Sequence, residues 1–375
     1  MIQPIERAGA AAVRLLDARA RGAELDVMDL QLAAWAVGKA QLRLPSLPDP
    51  EEDLPVRQAA AFGAGDDEAG FAILAENISL YEGHKLLMYA CHLVGDRCAD
   101  TLLEHAARHP GVWFSGSMLT RTRDPLRLLA LADASEIESH IVDTVGELLI
   151  RGRDAGSSIP EIEQRWAELN TPVARPGYLA GFRDLELRVA AREDMESAIR
   201  WMQEYAGPWG YDTQHWGNLA VLARLVRTDP ERACRIVASR EDPANRVSWL
   251  WPLVRWHELP AAAEPMIDNL LAEDVVDVDV VGALIDARSF DRLARALAKV
   301  DPSDAFALVA AVARPIASLR DAGLIDDAEA VRDRVQSLLP QTAPPGEVAP
   351  RDLLDVLSAP ERPPLVPWNP DPGLP

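Results

Sequence analysis

The chain has 375 residues, 48% of them hydrophobic, and carries 38 basic against 59 acidic side chains for a formal net charge of −21. That length allows two or three domains with a sizeable core, and the apolar fraction excludes global disorder. The charge excludes general nucleic-acid binding, which needs a basic surface, and no apolar run approaches the roughly 20 residues of a membrane-spanning helix.

The elements read as helix after helix. Met-Ile-Gln-Pro-Ile-Glu-Arg opens the chain without the basic and apolar regions of a signal peptide. Cys91, Cys98 and Cys234 are too few for a disulfide framework, so a reducing cytoplasm is expected. Pro4 sits at a good first-turn position, and Ile5, Ala8, Ala12, Leu15 and Leu16 follow on one helical face. A second helix is expected over Asp29–Leu42, with Leu32, Trp35 and Ala36 facing inward. The acidic, proline-rich stretch 45–53 then reads as a loop. Glu68–Leu93 reads as one long helix with Gly83 as a kink point, and Asp96–Arg108 as another. Further helices are expected near 125–132, 136–151, 159–169, 178–189, 193–205, 213–226, 230–239, 246–257, 261–271, 280–287, 290–299, 305–322 and 326–339. Val275–Val281 alternates like a strand, yet Asp277 or Asp279 serves equally as an N-cap for the next helix, and no partner strand is visible.

Residues 228–242, 288–302 and 323–340 share a shape. Each has a turn, an acid, Ala and Leu at i, i+3, i+4 and i+7, and a polar breaker. Such a helix cannot bury its stripe alone, whereas stacked antiparallel pairs bury a continuous core. Ala322-Gly-Leu-Ile-Asp-Asp-Ala-Glu-Ala330, closed by Pro340, resembles the second half of a tetratricopeptide repeat. The resemblance implies that Gly323 permits the inter-helix turn, that Ala328 packs between helices and that Pro340 ends the unit. The preceding helix lacks that family's aromatic and glycine, and carries Pro315. The expected architecture is an all-α solenoid of antiparallel helix pairs. It comprises an N-terminal helical region over 1–200, tetratricopeptide- or HEAT-like repeats over 201–340 and a proline-rich flexible tail over 341–375. Eleven of the 29 prolines fall in the last 36 residues. Within that tail, 351–357 has Leu353, Leu354 and Leu357 to dock on the body or on a partner.

Strong chemical motifs are absent. Gly38-Lys39 lacks the upstream glycine of a phosphate loop, and Gly63-Ala-Gly65 lacks the third glycine of a dinucleotide fingerprint. Phe114-Ser-Gly-Ser117 is not a nucleophile elbow. Asp66-Asp67 and Asp326-Asp327 read as helix N-terminal acids complementing the dipole. "LTRTRDPLR" over 119–127 is the one short basic stretch, read as a solvated loop pairing with Asp124. No cofactor is expected.

Two concentrations remain. Residues 82–109 hold four of the seven histidines and two of the three cysteines. His84, Cys91, His105 and His109 are the candidate metal ligands, since His84 and Cys91, and His105 and His109, share helical faces. Cys91-His92 resembles the zinc dyad of the all-helical lanthipeptide cyclases, without that family's following glycine or upstream cysteine. The competing reading makes the cysteines core residues and the histidines surface or capping groups. The second concentration places six of the ten tryptophans between 201 and 256. Trp209, Tyr211, His215, Trp216, Trp249 and Trp256 are candidates for a partner-binding groove, because aromatic side chains bury large areas and keep a polar handle. Interhelical packing explains the same spacing. The expected function is non-enzymatic binding of a protein partner on a concave helical surface, with a basic partner favoured by the charge and an immunity- or inhibitor-type role as a special case. No nucleic acid and no membrane enter. The rivals are an all-helical toroid enzyme with a Trp-lined cleft and carboxylates such as Glu204 and Asp212, and a metal-dependent enzyme at 84–109.

Overall fold

The computed structural model describes residues 3–77, 81–109, 122–134, 138–169, 187–188, 190–205, 215–239, 261–301, 305–341, 343–344 and 347–361. Among the described residues the structure is helical, with no strand, and no helix is long and apolar enough to cross a membrane. The chain divides into two compact units, one built from 1–74 and 229–363, the other from 75–228 and 364–375.

In the first unit, α1 (Pro4–Ala20), α2 (Val27–Lys39) and α3 (Pro50–Ala64) pack in succession, and α4 (Asp67–Asn77) follows. The sequence explains α2 as a central helix: every residue from Leu30 to Gly38 is buried, and all but Gln31 are apolar or glycine. Small residues let the backbones close. A Cβ on Gly38 would stand 1.9 Å from the Ala60 carbonyl oxygen, and one on Gly63 would stand 2.1 Å from that of Trp35. The helix α3 was not expected from the sequence, where its start reads as loop. Pro50 and the acids that follow form a regular helical first turn.

The unit continues with α11 (Pro230–Ala238), a short 3-10 turn (Ala261–Ala263), α12 (Glu264–Ala272), α13 (Val278–Asp286), α14 (Phe290–Leu297), α15 (Ala305–Asp321), α16 (Ile325–Leu338) and α17 (Pro350–Leu357). Asp277 caps α13, its carboxylate accepting from the Asp279 N–H at 2.9 Å, so the alternating stretch is a cap and a helix start. Pro315 lies inside α15 and cannot donate to the Ala311 carbonyl one turn back. Gly282 of α13 packs against that carbonyl, where a Cβ would come within 2.6 Å of the oxygen. Between α15 and α16, Gly323 has φ +78° and Ala328 is fully buried, which matches the local turn and packing expected there.

Within the stretch expected as tail, α17 packs on α1, α2 and α15, with Leu353, Leu354, Val356 and Ala359 buried. Charged groups hold it as well. Arg332 forks onto Asp355 (Nε–Oδ1 2.6 Å, Nη2–Oδ2 3.0 Å), and Arg7 of α1 reaches Glu329 of α16 at 2.6 Å and Asp355 at 3.3 Å. Arg320, almost wholly buried, binds Glu329 and donates to the Ser358 carbonyl. Such buried pairs are costly to form and costlier to break, so they fix the seat of α17.

The second unit contains α5 (Tyr81–Arg108), α6 (Pro125–Asp133), α7 (Glu138–Asp154), α8 (Pro160–Leu169), α9 (Met195–Tyr205) and α10 (His215–Thr228). The helix expected over 68–93 is divided between α4 and α5, and α5 runs on through the expected second helix. Its kink lies at Cys98 (φ −125°, ψ 27°), not at Gly83. A three-helix arrangement joins α6, α7 and α8, and α9 packs on α10. Inside this unit Arg188 and Glu147 form a buried ion pair.

Candidate functional site

The two sequence-derived clusters fall differently in the structure. Trp209, Tyr211, Trp249 and Trp256 lie outside the described residues. His215 and Trp216 open α10, and only their backbone is described. Glu204 lies on α9 with its side chain likewise outside the description, and Asp212 is outside it altogether.

Of the histidine- and cysteine-rich segment, His84, Cys91 and His105 all lie on α5, with His109 just beyond its end. The side chain of His84 is outside the described residues. Cys91 is buried, and burial pushes its thiol up to about 12. Burial, then the nearby charges of Arg108 and His109, holds His105 below the usual imidazole range. Among the described residues no three His, Cys, Asp or Glu side chains gather as a metal site would require. The basic stretch near 121–127 anchors on α5: Asp100 accepts from the Thr122 hydroxyl at 2.6 Å and the Arg123 N–H at 2.8 Å. Asp124, the partner expected from sequence, caps α6 instead by accepting from the Arg127 N–H at 3.0 Å.

The first unit contains a cleft of about 450 Å³ that the sequence did not announce. One wall forms where α1 ends. Gly22 takes φ +98°, turning the chain out of the helix, and Glu24, Leu25 and Asp26 lead to α2. Asp26 is the N-cap of α2, its carboxylate accepting from the Met28 N–H at 2.8 Å, and Asp29 stands in the first helical turn. Phe306, at the start of α15, Glu347 and Val348, ahead of α17, and Leu353 within it complete the lining. Among the described residues, four carboxylates therefore share one hollow with four apolar side chains, and none of the described lining residues is basic.

Electrostatics sharpen the picture. Burial, then the like charge of Asp26, pushes the Asp29 carboxyl up to about 6. Arg19 acts electrostatically on Glu24, but its guanidinium is held by Glu52 (Nη2–Oε1 2.5 Å) and by the Ala23 carbonyl at 2.8 Å. Phe306, 52% exposed, offers its ring to the hollow. A smaller hollow of about 210 Å³ lies beside Cys234 and Met266. Glu231 and Arg235 approach to 3.8 Å there, so its charges largely cancel.

The N-terminal half of the acidic wall was partly legible, since Asp26 and Asp29 stand where helix-start acids are favoured. The cleft itself was not, because Phe306, Glu347 and Leu353 arrive from the far end of the chain. Comparison with protein families, with curated proteins and with solved structures finds no match to this chain.

Proposed function

We propose that the chain is a non-enzymatic protein-binding helical protein whose partner is basic, with an immunity- or inhibitor-type role as its sharpest form. In this reading the helices stack as antiparallel pairs, as in tetratricopeptide- and HEAT-like solenoids, and present a concave face. The observation that carries it is the cleft of the first unit: Glu24, Asp26, Asp29 and Glu347 beside four apolar side chains, with no basic residue among the described lining. The net charge of −21 acts in the same direction, drawing a basic protein in by long-range steering.

Affinity capture with the full chain under native conditions tests this, with the captured species identified and weighed by mass spectrometry. A stoichiometric partner with a basic isoelectric point, released progressively as salt is raised, is the expected result. Recovery of no stoichiometric partner, or of an acidic one held independently of salt, overturns the reading.

A further inference from the structure

The cleft lined by the α1–α2 connection, the start of α15, the approach to α17 and Leu353 combines apolar side chains with carboxylates. Of its apolar side chains, Val348 and Leu353 are buried, while Leu25 and Phe306 remain more open. Its volume of about 450 Å³ lies within the range of about 300–1,000 Å³ typical of pockets that enclose a ligand group.

The carboxylates do not share one role. Asp26 uses an oxygen to cap α2, Glu24 lies within the field of Arg19, and Glu347 is exposed. Asp29 is half-buried, and burial and the negative charge of Asp26 outweigh the favourable field of the first turn of α2. An ionised carboxylate in such a place is poorly solvated and only partly compensated by the helix dipole. The group that would relieve it is a cation that enters from outside and carries apolar surface to match the apolar side chains. A guanidinium on its aliphatic stem fits both demands. Its stem covers apolar surface, its fork donates to carboxylates on two sides, and its flat face stacks on an exposed aromatic ring.

We propose that this cleft is the docking point for an arginine side chain of a basic protein partner, with Asp29 and Asp26 receiving the guanidinium and Phe306 and Leu25 contacting the stem and an aliphatic neighbour. This rests on the basic-partner reading and narrows it to one residue type at one place. Free polyamines share part of the chemistry, a cation on a hydrocarbon stem, but lack both the planar fork and the flanking aliphatic residue.

The test uses the full chain and a fluorescein-labelled decapeptide with a central Leu-Arg-Val, read by anisotropy. Three further peptides carry citrulline for arginine, lysine for arginine, and serine for both aliphatic neighbours, and spermidine is added as a competitor. The wild-type chain binds the arginine peptide. Citrulline and Asp29→Asn each weaken binding at least tenfold, while lysine, the serine peptide and Phe306→Ser weaken it severalfold. The thermal midpoint of Asp29→Asn is measured alongside and is not lowered, which separates a lost contact from a lost fold. Absence of arginine-peptide binding, Asp29→Asn affinity within twofold of wild type, or displacement by spermidine at lower concentration than by unlabelled peptide each overturns the proposal. The wider reading fails separately. If native capture still yields a basic partner while Asp29→Asn leaves the peptide bound, only the cleft assignment falls; if neither partner nor peptide binds, both fall.

Discussion

Asp29 illustrates how a residue that serves one purpose in the sequence acquires another in the fold. As a first-turn acid it complements the dipole of α2. Folding then places it against the cleft, where burial raises its carboxyl to about 6 from about 3.9 in an unfolded chain. The folded state therefore holds this proton more tightly than the unfolded state does. The resulting stabilisation is complete below the unfolded value and is lost as pH rises through about 4 to 6. At neutral pH the ionised carboxylate is a liability of about 1 kcal/mol, after allowance for its partial solvation. Asp29→Asn is thus expected to stabilise the free chain at about pH 7.5 and to lose that advantage near pH 4. Urea unfolding at the two pH values checks this, and an advantage that grows on acidification would contradict it. The same substitution that weakens binding should then strengthen the fold, which is the signature of a group kept for its ligand.

The elements themselves were largely legible, because caps and periodicity coincide. Asp124-Pro125 and Asp229-Pro230 each place an N-cap aspartate before a first-turn proline, and both start helices in the structure. The miss at α3 has a physical cause. Prolines and acids mark loops and helix starts alike, and the packing that decides between them, Gly38 and Gly63 at the α2–α3 contact, is a tertiary fact. The shift of the α5 kink to Cys98 is of the same kind, since glycine is permissive in isolation but backbone distortion is settled by neighbours. The short helix α17 offers an internal comparison. Leu354 is fully buried, so Leu354→Ala is expected to cost about 2–5 kcal/mol. Asp352 pairs with Arg14 at 2.5 Å, but the arginine side chain is 57% exposed, so Asp352→Asn is expected to cost under about 1 kcal/mol. Chemical denaturation of the two variants ranks them, and equal costs would mean that charge rather than burial seats this helix.

At the scale of the whole molecule, the candidate site is hidden from the sequence because it is non-local. Asp26 and Asp29 come from one end of the chain, Phe306 and Glu347 from the other, and no spacing rule connects them. The same topology governs folding of the first unit, whose residues 1–74 complete their packing with 229–363. Contacts of long sequence separation slow folding, since chain entropy is lost before they form. Removal of α17 is expected to lower hydrogen-exchange protection in its packing partners α1, α2 and α15, and to raise binding of an apolar dye. Unchanged protection in α1 after the deletion would show that the N-terminal helices fold without their distant partners.

The ion pair between Arg14 and Asp352 spans 338 positions, and that separation is also an interval of time. A ribosome adding ~5–20 residues per second needs on the order of tens of seconds to pass from one partner to the other. Throughout that interval the apolar faces of α1 and α2 exist before the helix that covers them. The parts of α1 and α2 that α17 covers lack that cover until synthesis reaches it, an early exposure that the finished structure conceals.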